Sequence, residues 1–138
     1  MTNTRVIALQ IHGMRDNPLE FSVSNGMKCK FKDSLSNRFA RILQKKIHLA
    51  GSRKLGNSCN QPGHKTYLCG TTNVQGRFSN KVPSERLCTT DSESENNTNR
   101  FLHLECSYRL NHHTTKHPQL GPHLISETIN ELLKPLRR

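Results

Sequence analysis

The sequence predicts an α+β fold, a small single domain of mainly antiparallel strands with a basic amphipathic helix over residues 34–49 and a C-terminal helix over 122–134. Three observations carry that prediction. Residues 101–110, FLHLECSYRL, alternate apolar and polar side chains at period two, the signature of a half-buried strand. Leu35, Phe39, Ile42, Leu43 and Ile47 recur at helical spacing, and so do Leu124, Ile125, Ile129, Leu132, Leu133 and Leu136.

Taken in chain order, residues 5–12 (RVIALQIH) set Ile7, Leu9 and Ile11 on one face and Val6 and Ala8 on the other, which predicts a strand covered on both sides. Phe21 to Val23 and Met27 to Phe31 then flank Asn25-Gly26, a strong hairpin signal. A two-residue turn would set Val23 and Phe21 opposite Lys28 and Lys30. A three-residue loop, Ser24-Asn25-Gly26, instead pairs Val23 with Met27 and Phe21 with Cys29, and puts Gly26 where a left-handed residue is required. That register leaves Lys28, Lys30 and Lys32 in a row on the opposite face.

The following helix takes Asp33 or Ser34 as its cap and Gly51 as its stop. Its outer face bears Arg38, Arg41 and Lys45, with Lys46 and His48 near the C-terminal end, where cations suit the helix dipole. Residues 51–100 are rich in Gly, Asn, Ser and Thr and read as a loosely structured middle, with strand-like pieces at 66–69 and 74–78 and a flexible polar tract at 89–99. In the strand at 101–110, Leu102, Leu104, Cys106, Tyr108 and Leu110 are assigned to the core. Pro122 suits the first turn of the last helix. Residues 1–138 are read as one domain, without an internal repeat.

Charge is the most informative bulk property. The 138 residues hold 21 Lys and Arg against 10 Asp and Glu, a formal net charge of +11, and the mean hydropathy is −0.74. Nine of the cations, Lys28, Lys30, Lys32, Arg38, Arg41, Lys45, Lys46, Arg53 and Lys54, fall in residues 28–54 beside one acid, Asp33. Crowding of that kind exceeds what solubility requires and points to a polyanion. Since each Lys or Arg that meets a phosphate releases a condensed counterion, the expected partner is nucleic acid, with RNA slightly preferred over DNA. Aromatic residues make up 5% of the chain, which favours recognition of backbone or duplex shape over base stacking.

The chain has no apolar run long enough to span a bilayer, and its first residues lack the sustained apolar stretch of a secretory leader. Five irregularly spaced cysteines argue against a disulfide framework. Together these features lead us to expect a soluble, cytoplasmic or nuclear protein that is not secreted.

Cys59, His64 and Cys69 have the spacing Cys-x4-His-x4-Cys with Gly63 before the histidine, which resembles the last three ligands of the retroviral-type CCHC zinc knuckle. The resemblance spans eleven residues and implies a zinc site, but the position of the first cysteine is occupied by Gly56. A second cluster joins Cys106 to His112, His113 and His117, with Cys88 as a further donor; His113 and His117 have the spacing of the second half of a C2H2 finger without its paired cysteines.

No phosphate-cradling glycine loop and no nucleophile elbow occur. Two His-x-Thr triplets, His64-Lys65-Thr66 and His112-His113-Thr114, resemble the paired motif of the 2H phosphoesterases, which implies histidine acid-base chemistry on a phosphodiester. The sequence thus supports a non-enzymatic nucleic-acid-binding accessory protein, of a character that would suit a virus or mobile element. Its rivals are a protein–protein adaptor that docks the C-terminal helix in a partner and a phosphoesterase.

Overall fold

The computed structural model describes residues 6–14, 19–30, 32–61 and 69–134. Its strands are β1 (Ala8–Gly13), β2 (Phe21–Ser24), β3 (Gly56–Ser58) and β4 (Phe101–Cys106); its helices are α1 (Leu35–Leu49), α2 (Val74–Ser79), α3 (Tyr108–Asn111) and α4 (Pro122–Leu133). The α+β class is therefore observed. Four strands form one sheet in the order β1-β4-β2-β3. The sheet is mixed rather than mainly antiparallel: β1 runs parallel to β4 and β2 parallel to β3, while β2 and β4 are antiparallel. Parallel pairing of β2 with β3 needs a crossover, and α1 supplies it, making a βαβ unit.

The ladder register decides which face each side chain takes. Phe21 lies opposite Cys106, Val23 opposite Leu104 and Leu9 opposite Leu102, and all of these face the two long helices. There they meet Phe39, Leu43 and Ile47 of α1 and Leu124, Ile125 and Leu132 of α4 in one apolar cluster. On the reverse face, Ser22 pairs with Glu105 and Ser24 with His103. Segment 70–80 covers that side so tightly that a Cβ at Gly76 would lie 2.8 Å from the Phe101 ring, and one at Gly70 2.5 Å from the His103 ring.

Helix α1 forms as its sequence predicts. Ser34 is the N-cap and its hydroxyl accepts the Asn37 N–H at 3.1 Å, while Gly51 follows the C-cap with φ of +88°. The other N-terminal amides are met by distant side chains, Leu35 N–H by Asn99 Oδ1 and Ser36 N–H by Asn25 Oδ1. Asn99 belongs to the tract read as flexible, and Asn97 and Thr98 beside it are bonded to Asn25 and to the Ser79 carbonyl.

Several expectations are corrected. Gly26 does adopt φ of +77° and Met27 is buried, but residues 28–30 do not pair with β2, so there is no hairpin and no lysine row upon it. Both sides of β2 are taken by β3 and β4, and the Asn25 side chain is used to join α1 and residue 97. Phe31, the last residue of the expected second hairpin strand, lies outside the described residues.

Residues 74–78 fold as the start of a helix, whose Arg77 is buried and spends its guanidinium on the carbonyls of Thr71 and Leu87 and on Asp91 at 2.6 Å. Strand β1 is an edge with Ile11 exposed, and β4 ends at Cys106, so Tyr108 points outward from α3 at 68% exposure. Cys59 and Cys69 form a disulfide between the end of β3 and the reverse-face segment, contrary to the reading of the cysteine count. An odd total does not exclude one local pair, and only the fold brings these two Cα atoms to 5.5 Å. No helix among the described residues is long and apolar enough to cross a membrane.

Candidate nucleic-acid interface

The nine cations of residues 28–54 do not share one environment. Arg41, Lys45 and His48 stand on one face of α1 and line an open groove of about 560 Å³ between that helix and β3. Leu55, Gly56 and Gln61 form its far wall, and no lining residue is acidic. The groove's geometry follows from helix pitch: Arg41, Lys45 and His48 are spaced four and three residues apart, so they align along the axis. At a rise of 1.5 Å per residue the seven steps from Arg41 to His48 cover about 10 Å, the axial rise of about three base-pair steps of a duplex. Gln44 ties the groove together, because its Oε1 accepts the Gly56 N–H across the gap.

The others are dispersed. Lys46 is drawn to α4, 3.1 Å from Glu131 and 3.7 Å from Glu127, and is thereby tied to the protein's own carboxylates. Lys30 reaches back to donate to the Cys59 carbonyl at 2.6 Å. Arg38 lines a small hollow with Asp33 and Asn99. Lys28, Lys32 and Arg53 are exposed, and Lys54 lines a different cleft, beside α3. Positive charge is therefore spread over several surfaces, and the α1–β3 groove gathers Arg41, Lys45 and His48.

That second cleft rests on a buried ion pair which composition did not reveal. Glu20 is fully buried; the Arg109 Nε–H donates to both carboxylate oxygens at 3.1 Å and Nη2 donates to Oε2 at 2.7 Å. The hydroxyls of Ser52 and Ser107 donate to the same carboxylate. Burial alone would raise the Glu20 pKa, but the hydrogen bonds from Arg109, Ser107 and Ser52 and the guanidinium charge outweigh it and hold the carboxyl below its ordinary value. Glu20 thus remains ionised and clamps the start of β2, the segment after α1 and the start of α3. The only sequence signal was an acid beside a strand otherwise read as core.

The metal readings fare differently. Cys59 and Cys69 are joined to each other and so offer no thiolates, while His64 lies outside the described residues. Among the described residues no group of three or more His, Cys, Asp or Glu is placed to hold a metal ion. Burial, reinforced by the negative charges of Glu105 and Glu20, pushes the Cys106 thiol up to about 12, so it stays protonated as a core residue. His112 instead stacks on Tyr108 and His113 on His123.

Of the two His-x-Thr triplets, His64 and Thr66 lie outside the described residues, and in the other Thr114 Oγ1 accepts the His117 N–H. Leu124, Ile125 and Leu132 of α4 are consumed by the protein's own core. Compared with known proteins, the chain matches no family model, no curated sequence and no solved structure.

Proposed function

We propose that this chain is a non-enzymatic accessory protein that binds nucleic acid, RNA in preference to DNA, by seating backbone phosphates along the groove between α1 and β3. The observation that carries the reading is the alignment of Arg41, Lys45 and His48 along a cleft without an acidic lining residue. A phosphate there meets the two permanent cations Arg41 and Lys45, with the His48 imidazole beside them. Gln44 and Gln61 in the same groove offer amide groups to 2′-hydroxyls, which supports RNA over DNA. Exposed Lys28, Lys32 and Arg53 add long-range attraction.

The reading places the protein in the cytoplasm or nucleus, where thiol pools reduce accessible disulfides; the buried positions of Cys59 and Cys69 impede that attack. The test is an electrophoretic binding series with single-stranded and duplex RNA and DNA, run on the wild type and on the Arg41→Glu/Lys45→Glu variant. The double reversal is expected to weaken RNA binding by at least about tenfold with unchanged thermal stability. Equal binding by the two proteins would overturn the proposal.

A further inference from the structure

We infer that the cleft beside α3 is a binding site for a phosphate monoester attached to an aromatic base, that is, a nucleoside monophosphate unit. The cleft has a volume of about 480 Å³ and shares no lining residue with the α1–β3 groove. Its charge comes from Lys54 and Lys116, both exposed, with His117 beside them, and no residue lining it is acidic. Arg109 lies in the same wall.

What distinguishes this cluster from a patch of surface lysines is how Arg109 is held. Its Nε and Nη2 are fixed by the fully buried Glu20, and Nη2 also donates to Ser52 Oγ at 3.0 Å. The guanidinium is thereby fixed in one orientation with its side chain 24% exposed, and Nη1 has no hydrogen bond among the described residues. Because Glu20 balances its charge, Arg109 supplies directed donors and the lysines supply attraction.

Hydroxyl donors complete the set. Thr114 Oγ1 accepts the backbone N–H of His117 at 3.2 Å, which leaves its own proton free to donate. Donors of this number suit the three terminal oxygens of a monoester dianion better than the two unesterified oxygens of a diester.

The aromatic part follows from Tyr108. This residue lines the cleft and is 68% exposed, and its ring stacks on His112 with centroids 4.2 Å apart and planes 16° apart. A supported ring at the edge of a cationic cleft is a platform for a base. The same unit occurs as a free nucleotide and at the phosphorylated end of a nucleic-acid strand, and the chemistry of the cleft is common to both.

The experiment is an amide NMR titration of the full chain with inorganic phosphate, uridine, uridine 5′-monophosphate, and a short RNA with either a 5′-phosphate or a 5′-hydroxyl. Uridine 5′-monophosphate should produce saturable shifts in residues 107–117, binding at least about tenfold tighter than phosphate or uridine alone, since it engages donors and platform together. Lys54→Gln and Lys116→Gln, at exposed positions that leave the Glu20 clamp intact, should each weaken it about fivefold, while Arg41→Glu leaves it unchanged. A 5′-phosphorylated RNA favoured over its 5′-hydroxyl form, with the preference lost in Lys116→Gln, identifies a strand end as the source; saturable uridine 5′-monophosphate binding with no preference between the two RNAs identifies the free nucleotide. Absence of saturable shifts in 107–117 up to millimolar nucleotide, or insensitivity to both lysine substitutions, overturns the inference.

Discussion

Replacing Arg109 with alanine would strand the Glu20 carboxylate inside the protein. In the native fold that carboxylate is 0% exposed and is met by Arg109 Nε at 3.1 Å, Arg109 Nη2 at 2.7 Å and Ser52 Oγ at 3.0 Å, with Ser107 as a further donor. Removing one partner of a buried pair leaves an uncompensated charge and costs about 3–5 kcal/mol, a large share of a small domain's stability.

The pH dependence gives the prediction its sign. In the wild type Glu20 has a folded pKa below its ordinary value, about 4.3, so its contribution is present above that value and is lost as pH falls through the lowered one. In Arg109→Ala the burial that raises the pKa remains while the largest opposing influences are gone. The carboxyl then titrates above its unfolded value, and the variant loses stability as pH rises from about 4 toward 7. Urea unfolding followed by circular dichroism at several pH values should therefore show a wild-type-to-variant gap that widens from pH 4 to 7. A gap below about 1 kcal/mol at neutral pH, or one of constant size across the range, would refute the reasoning.

Three further predictions concern the scaffold. Reduction, or the Cys59→Ser/Cys69→Ser variant, opens a loop with a sequence separation of 10 and should lower unfolding free energy by about 3 kcal/mol in chemical denaturation, without moving the Arg41–Lys45 groove. Gly56→Ala would put a Cβ 1.8 Å from the Phe21 ring at the first pair of the β2–β3 ladder, so its melting temperature should fall by more than that of Gly51→Ala, where only the positive φ resists and nothing lies within 4 Å. His103 is buried with Nε2 2.9 Å from Glu105 Oε1, and burial outweighs that carboxylate to lower its pKa. The folded state consequently resists its protonation, and stability should decline as pH falls from about 6.5 toward the lowered value, a decline that His103→Gln abolishes in the same unfolding assay.

The parts of this fold that sequence made legible are those set by local pattern. Ser34 caps α1, Gly51 follows it with a positive φ, and the apolar spacings in α1 and α4 mark the residues that enter the core. Residues 101–106 alternate as a strand, although His103 is buried along with its apolar neighbours because segment 70–80 covers the second face.

What pattern could not show is pairing at long range. Asn25-Gly26 has the composition of a hairpin turn, but Asn25 bonds Asn97 and the start of α1, and its strand takes β3 and β4 as neighbours. Glu20 and Arg109 lie 89 positions apart, and no periodicity links them. Within the basic segment, spacing along α1 placed Arg41 and Lys45 together, while the diversion of Lys46 to Glu131 and of Lys54 to another cleft depended on where α4 and α3 pack.

Cations in the α1–β3 groove that hold phosphates make RNA affinity depend steeply on salt. If about five phosphates are neutralised by Arg41, Lys45 and neighbouring cations, log K should fall against log salt with a slope of roughly −3.5 on single strands and −4.5 on a duplex. That corresponds to a loss of roughly 10²- to 10³-fold between about 50 and 200 mM salt, with a shallower slope for Arg41→Glu/Lys45→Glu. An affinity that stays level over that interval, or a slope identical in the two proteins, would contradict it.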